Sequence, residues 1–115
     1  MRFRTSLAAV LGALALAVTL PASSASAATG QFSFTYERDG KTLQGYLSDP
    51  RARSCIDLDE VAGTDTTPAH SPRNRTNSIA TVFTDLDCEG KSFALKAGGG
   101  HGGAGLKFRS VVFNQ

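Results

Sequence analysis

Gln31-Phe32-Ser33-Phe34-Thr35-Tyr36-Glu37-Arg38-Asp39-Gly40-Lys41-Thr42-Leu43-Gln44-Gly45-Tyr46-Leu47 is the stretch that decides the fold class of this chain. Phe32, Phe34 and Tyr36 alternate with Ser33, Thr35 and Glu37, the period-two pattern of a strand with one buried face. Asp39-Gly40 then signals a type I′ hairpin, whose two central residues both need positive φ. Thr42 to Leu47 is the expected return strand, with Leu43 and Leu47 facing inward, and Asp49-Pro50 ends it.

Outward from this hairpin the same character continues. Cys55-Ile56 reads as a short strand. Gly63 to Thr76 is rich in Gly, Thr, Pro, Asn and Ser and reads as a long irregular loop, since Pro68 and Pro72 exclude regular structure nearby. Ile79 to Phe83 returns to strand composition, Asp85 to Gly90 is a turn, and Lys91 to Leu95 is another strand with Phe93 and Leu95 on one face. Gly98 to Gly105 is a glycine run read as a flexible hairpin loop, and Leu106 to Phe113 closes the chain as a strand. No helical period occurs in this part, so the fold class is all-β, built from hairpins.

Residues 1–28 have the layout of a secretory signal peptide: Arg2 and Arg4, an apolar run from Leu7 to Leu20, and the small residues Ala25-Ser26-Ala27-Ala28. The run is about 14 residues, short of the roughly 20 that span a bilayer. Cleavage is expected after Ala27 or after Ala28, leaving a single domain over residues 29–115, secreted and without a membrane anchor. The leader carries two of the 12 basic residues and none of the 10 acidic ones, so the remainder is formally neutral. The basic balance of the full chain is therefore no argument for nucleic acid. A domain this small buries only about 60–65% of its unfolded surface and gains much from a staple. Cys55 and Cys88 allow one intramolecular pairing, and export permits oxidation. Closing that loop stabilises by roughly 3.5–4 kcal/mol on the chain-entropy argument. The alternatives are a reactive thiol or a metal pair, for which only His70 and His101 would be further ligands.

Phe83-x-x-x-x-Cys88-x-Gly90 resembles the hairpin corner of the β/γ-crystallin Greek-key motif: an aromatic, four residues, a second aromatic, one residue, then Gly. Ser110-Val111-Val112-Phe113 resembles the closing strand that this family begins with a Ser. The match covers Asn74 to Phe113 and departs from the family by placing Cys88 where the second aromatic belongs. The resemblance implies a single-domain Greek-key β-sandwich in which Phe83 packs over the corner, Gly90 takes a positive φ, Ser110 bonds the corner backbone and a Cys55–Cys88 disulfide takes over the clamp. Small secreted actinobacterial proteins of this kind include proteinase inhibitors and killer-toxin-like proteins.

Many relatives bind calcium through an Asn/Asp-Asn/Asp-x-x-Ser/Thr-Ser stretch, to which Asn74-Arg75-Thr76-Asn77-Ser78 corresponds in degenerate form. Asn74 and Ser78 are kept, but Arg75 stands at an acidic place, and calcium wants six to eight oxygens, so no metal or other cofactor is expected. The glycine run is not a phosphate loop, because Leu106-Lys107-Phe108 follows where a Lys-Ser/Thr and a helix would be required. His70 and His101 sit in loop composition with no dyad evident in the sequence, and an enzyme is not expected. Asp57, Asp59, Glu60, Asp85, Asp87 and Glu89 flank the two cysteines and are expected to form one solvated acidic face, with Arg51, Arg53 and Lys91 as partners. The functional expectation is a monomeric, non-catalytic module that binds an extracellular protein. Its sharpest version is a proteinase inhibitor presenting the loop after Gly63. The alternatives are a killer-toxin-like protein acting on other cells and a small secreted hydrolase that depends on His70 or His101.

Overall fold

The computed structural model describes residues 27–114, so the expected leader lies outside the described residues apart from Ala27 and Ala28. The strands are β1 (Gly30–Arg38), β2 (Lys41–Ser48), β3 (Ile56–Asp57), β4 (His70–Thr76), β5 (Ile79–Phe83), β6 (Ser92–Leu95), β7 (Gly100–His101) and β8 (Ser110–Asn114). Two short 3-10 turns, Asp59–Val61 and Leu86–Cys88, interrupt the connections, and there is no α-helix among the described residues. All pairings are antiparallel and make two sheets of order β2-β1-β4-β7 and β3-β8-β5-β6. The third strand of each consecutive four lies in the other four's sheet: β3 pairs with β8, and β7 pairs with β4. The two halves of the chain are thus interlocked rather than side by side.

The alternation read from β1 fills the space between the sheets. Phe32 and Phe34 are fully buried and Tyr36 nearly so, and they meet Phe108 and Phe113 from the end of the chain. Phe32 packs edge-on against Phe113 at 5.5 Å and Phe108 at 6.1 Å between ring centroids, the preferred arrangement of aromatic quadrupoles. Val82, Leu95, Val111, Leu58 and Val61 complete the cluster. At the hairpin, Arg38 pairs with Lys41, and Asp39 and Gly40 have φ of 54° and 76°, as the two-residue turn requires. Leu43 pairs with Tyr36 on the core face but lies at the hairpin tip, where it is 36% exposed, so only Leu47 of the two expected leucines packs on the core. Gly45 occupies the inward place between them, because a Cβ there would lie 2.3 Å from the Phe34 ring.

Four further expectations need correction. The stretch Gly63 to Thr76 is not one irregular loop: its second half is β4, which lies inside a sheet between β1 and β7. Pro72 is tolerated there because the register jumps from Ser33↔Arg73 to Thr35↔His70, leaving a bulge with Ser71 at φ 53° and no ladder N–H needed from residue 72. The glycine run contains β7, and Gly100 is required by close approach, since a Cβ would lie 2.3 Å from the Lys96 nitrogen. The closing strand begins only at Ser110, Leu106 and Phe108 belonging to the connection before it, and the early short strand is Ile56–Asp57 rather than Cys55-Ile56.

Candidate functional site

The connection from β3 to β4 carries the most distinctive construction in the molecule. Leu58 and Val61 anchor its start in the core, and Ala69, fully buried, anchors its end by exchanging two 2.9 Å backbone hydrogen bonds with Phe108. Between these anchors Gly63, Thr64, Asp65 and Thr67 stand exposed. Beneath them lies Arg109, the residue before β8. Its Nη1 donates to the Val61 carbonyl at 2.7 Å and to Thr66 Oγ1 at 2.9 Å, and its Nη2 donates to the Thr66 carbonyl at 2.8 Å. Thr66 closes the turn, its amide and hydroxyl both donating to the Gly63 carbonyl. A guanidinium fork donating to carbonyls on both sides of a turn holds it by charge-assisted bonds. The tip faces the β1–β2 hairpin across a cleft of about 320 Å³ lined by Glu37, Arg38, Asp65 and Thr67 among others.

The corner at Gly90 is built as a second rigid unit. Ser110 Oγ donates to the Asp85 carbonyl at 2.6 Å and accepts from the Cys88 amide at 2.9 Å. Gly90 has φ 86°, and a Cβ there would meet Thr84 Oγ1 at 2.2 Å. Cys55 and Cys88 form a disulfide with their Cα atoms 5.9 Å apart. It brings the two acidic stretches together, so that the Asp87 amide donates to Asp57 Oδ1 at 2.7 Å. Asp87 and Cys88 both have positive φ, a backbone that non-glycine residues adopt at a cost and that the disulfide and the Ser110 bonds hold in place. Arg51 and Lys91, expected as ion-pair partners of these carboxylates, form no ion pair with them among the described residues.

Asn74 and Ser78 do not form an open cation site. Asn74 is fully buried; its amide nitrogen donates to the carbonyls of Ser78, Leu95 and Lys96, and its oxygen accepts from the Thr76 amide and hydroxyl. The side chain is consumed in tying β4 to the start of β5 and the end of β6. No group of three or more His, Cys, Asp or Glu is placed to hold a metal ion among the described residues.

The two histidines are separated in role. His101 is exposed and lies in register with Arg73, its Nδ1 3.2 Å from the Gly99 carbonyl. His70 lies between two side chains: Nδ1 is 2.8 Å from Ser71 Oγ, and Nε2 is 3.3 Å from both carboxylate oxygens of Glu37. This Ser71–His70–Glu37 line escaped the sequence because it depends on the register of β1 against β4, which joins residues 33 positions apart. Arg109 escaped for the same reason, since its contacts span 43 and 48 positions. Compared with known proteins, the chain matches no family model, no curated protein and no solved structure.

Proposed function

We propose that this chain is a secreted, non-catalytic β-sandwich of the β/γ-crystallin Greek-key type that binds an extracellular protein, most sharply a proteinase that it inhibits. The exchange of β3 and β7 between sheets supports the fold reading, as do the Gly90 corner and the Ser110 clamp upon it. The leader layout and the disulfide support export into an oxidising compartment. Fold leaves function open, so the functional reading rests on one observation: the exposed peptide Gly63–Thr67 is held from beneath by Arg109. A peptide fixed before it meets its partner loses little further entropy on binding, which is how a short segment reaches high affinity. The purified protein should slow a secreted serine, cysteine or metallo-proteinase at stoichiometric amounts. Thr64→Asp with Thr67→Asp, both at the exposed tip, should abolish this while leaving the melt unchanged. Full proteolytic rates in all three classes would end the inhibitor reading.

A hydrolase is the second reading, favoured by the Ser71–His70–Glu37 line and by the positive φ of Ser71. It ranks lower because the imidazole is held by a carboxylate 42% exposed, at the rim of a sheet rather than in a water-excluded site. Turnover of p-nitrophenyl esters that disappears in Ser71→Ala would establish it, and wild-type rates at the background level would remove it.

A further inference from the structure

We propose that the outer face of the sheet β2-β1-β4-β7 binds an acidic glycan, with Arg73 and Arg75 taking its anionic groups and Tyr46 taking a sugar ring. This does not rest on the loop reading, because no residue of 63–67 belongs to the face.

Register places the groups. Tyr46 on β2 pairs with Ser33 on β1, which pairs with Arg73 on β4, which pairs with His101 on β7. These four side chains therefore form one row across the outside of the sheet, at about 4.8 Å per strand. In the next row Gln31 pairs with Arg75, so the two guanidinium groups project from positions two apart, about 6.8 Å along the strand. Ser33 is the smallest side chain in its row. It leaves a trough of about 430 Å³ with Tyr46 on one wall and Arg73 and Arg75 on the other.

The chemistry of the trough selects the ligand. Arg73 and Arg75 are exposed and have no hydrogen-bond or ion-pair partner among the described residues. No carboxylate lines the trough, although the protein beyond its leader has as many acidic as basic residues; six of the ten acids flank the disulfide instead. Two unpaired guanidinium forks are a site for carboxylate, sulfate or phosphate. Tyr46, 54% exposed, offers a ring face and a hydroxyl beside them. The remaining lining is neutral hydrogen-bonding surface, chiefly Gln31, Gln44 and Thr35, which suits a ligand dense in hydroxyl groups. A protein partner would ask for an apolar centre, and this face has a single aromatic.

The test is titration calorimetry on the oxidised protein with polygalacturonate and dextran sulfate, which separate carboxylate from sulfate, and with neutral dextran, polyaspartate and a single-stranded oligonucleotide. Binding of either or both acidic polysaccharides, with no binding of neutral dextran, is expected. Arg73→Gln with Arg75→Gln, and separately Tyr46→Thr, should each weaken it by about tenfold or more. Lys91→Gln with Lys107→Gln removes as much charge outside the trough and should leave affinity unchanged. All these side chains are exposed, so the melting curves should coincide with wild type. The proposal is overturned if neither acidic polysaccharide binds. It is overturned equally if polyaspartate or the oligonucleotide binds as tightly, if Tyr46→Thr has no effect, or if the lysine pair matters as much as the arginines.

Discussion

Replacing Arg109 with Met keeps the aliphatic stem of the side chain and removes the guanidinium that donates three hydrogen bonds. The bonds lost run to the Val61 carbonyl, the Thr66 carbonyl and the Thr66 hydroxyl. At the low end of the range for charged hydrogen bonds, about 1.5 kcal/mol each, the full loss would be roughly 4–5 kcal/mol. The residue is only partly buried, so water reaches the freed carbonyls, and the Thr66 hydroxyl keeps its bond to Gly63. Halving the sum gives about 2 kcal/mol, a sizeable part of the roughly 5–15 kcal/mol that holds a domain together. For a domain of this size that is a fall in melting temperature of about 8–16 °C. The more discriminating assay is amide hydrogen exchange. Protection of the Thr66 amide should fall sharply at temperatures where the amides of β1 and β5 stay protected, because the clamp acts locally while the core is untouched. If Thr66 exchanges at the wild-type rate in Arg109→Met, the arginine is not what holds the turn, and the case for a pre-ordered binding peptide goes with it.

Reduction of Cys55–Cys88, or its replacement by a pair of alanines, should lower stability by roughly 3.5–4 kcal/mol in urea titrations, and reductant should have no further effect on the double variant. Gly90→Ala should cost more than about 1 kcal/mol because it adds positive-φ strain to a clash with Thr84, whereas Gly103→Ala, with open space around its Cβ position, should stay within about 0.5 kcal/mol. Asn74→Ala removes the acceptor of the buried Thr76 amide and the three bonds donated to the carbonyls of Ser78, Leu95 and Lys96, with only Ser78 still reached by the Thr76 hydroxyl, and should cost about 3 kcal/mol or more by thermal melt. Millimolar calcium should leave the wild-type melting temperature where it is, since the Asn74 oxygen is already occupied by Thr76; a calcium-dependent rise would contradict this.

The parts of the fold that could be read from the chain are those whose inward positions are apolar. Phe32, Phe34 and Tyr36 announce β1, and Ala80 and Val82 announce β5, because burial of hydrocarbon imposes the period directly. Strand β4 alternates just as cleanly, but its inward residues are Pro72, Asn74 and Thr76 and its outward residues Arg73 and Arg75, so a pattern of hydropathy has nothing to detect. Its polar interior is possible only because Asn74 and Thr76 satisfy each other and the carbonyls around them, a condition no local window contains. The same limit applies to function. The disulfide and the Ser110 corner follow from residue types at short or countable spacing. The Arg109 clamp, the His70 contacts and the arginine face follow from strand register, which is fixed by how distant segments fit around the core.

Ala28 is fully buried, its amide donates to the Pro50 carbonyl at 2.7 Å, and Ala27 beside it is exposed. If the proposed leader is cut away, the bond chosen for the cut is thereby linked to how well the product holds together. A cut after Ala27 turns the residue 28 amide into an ammonium that still points at Pro50, adding charge to an existing bond and leaving the methyl group seated. A cut one position later empties a methyl-sized socket in the core and strands the Pro50 acceptor, a loss of roughly 1–2 kcal/mol. If the proposed leader is removed, the new terminus becomes a working part of the interior, and the mass of the product reports which bond was opened.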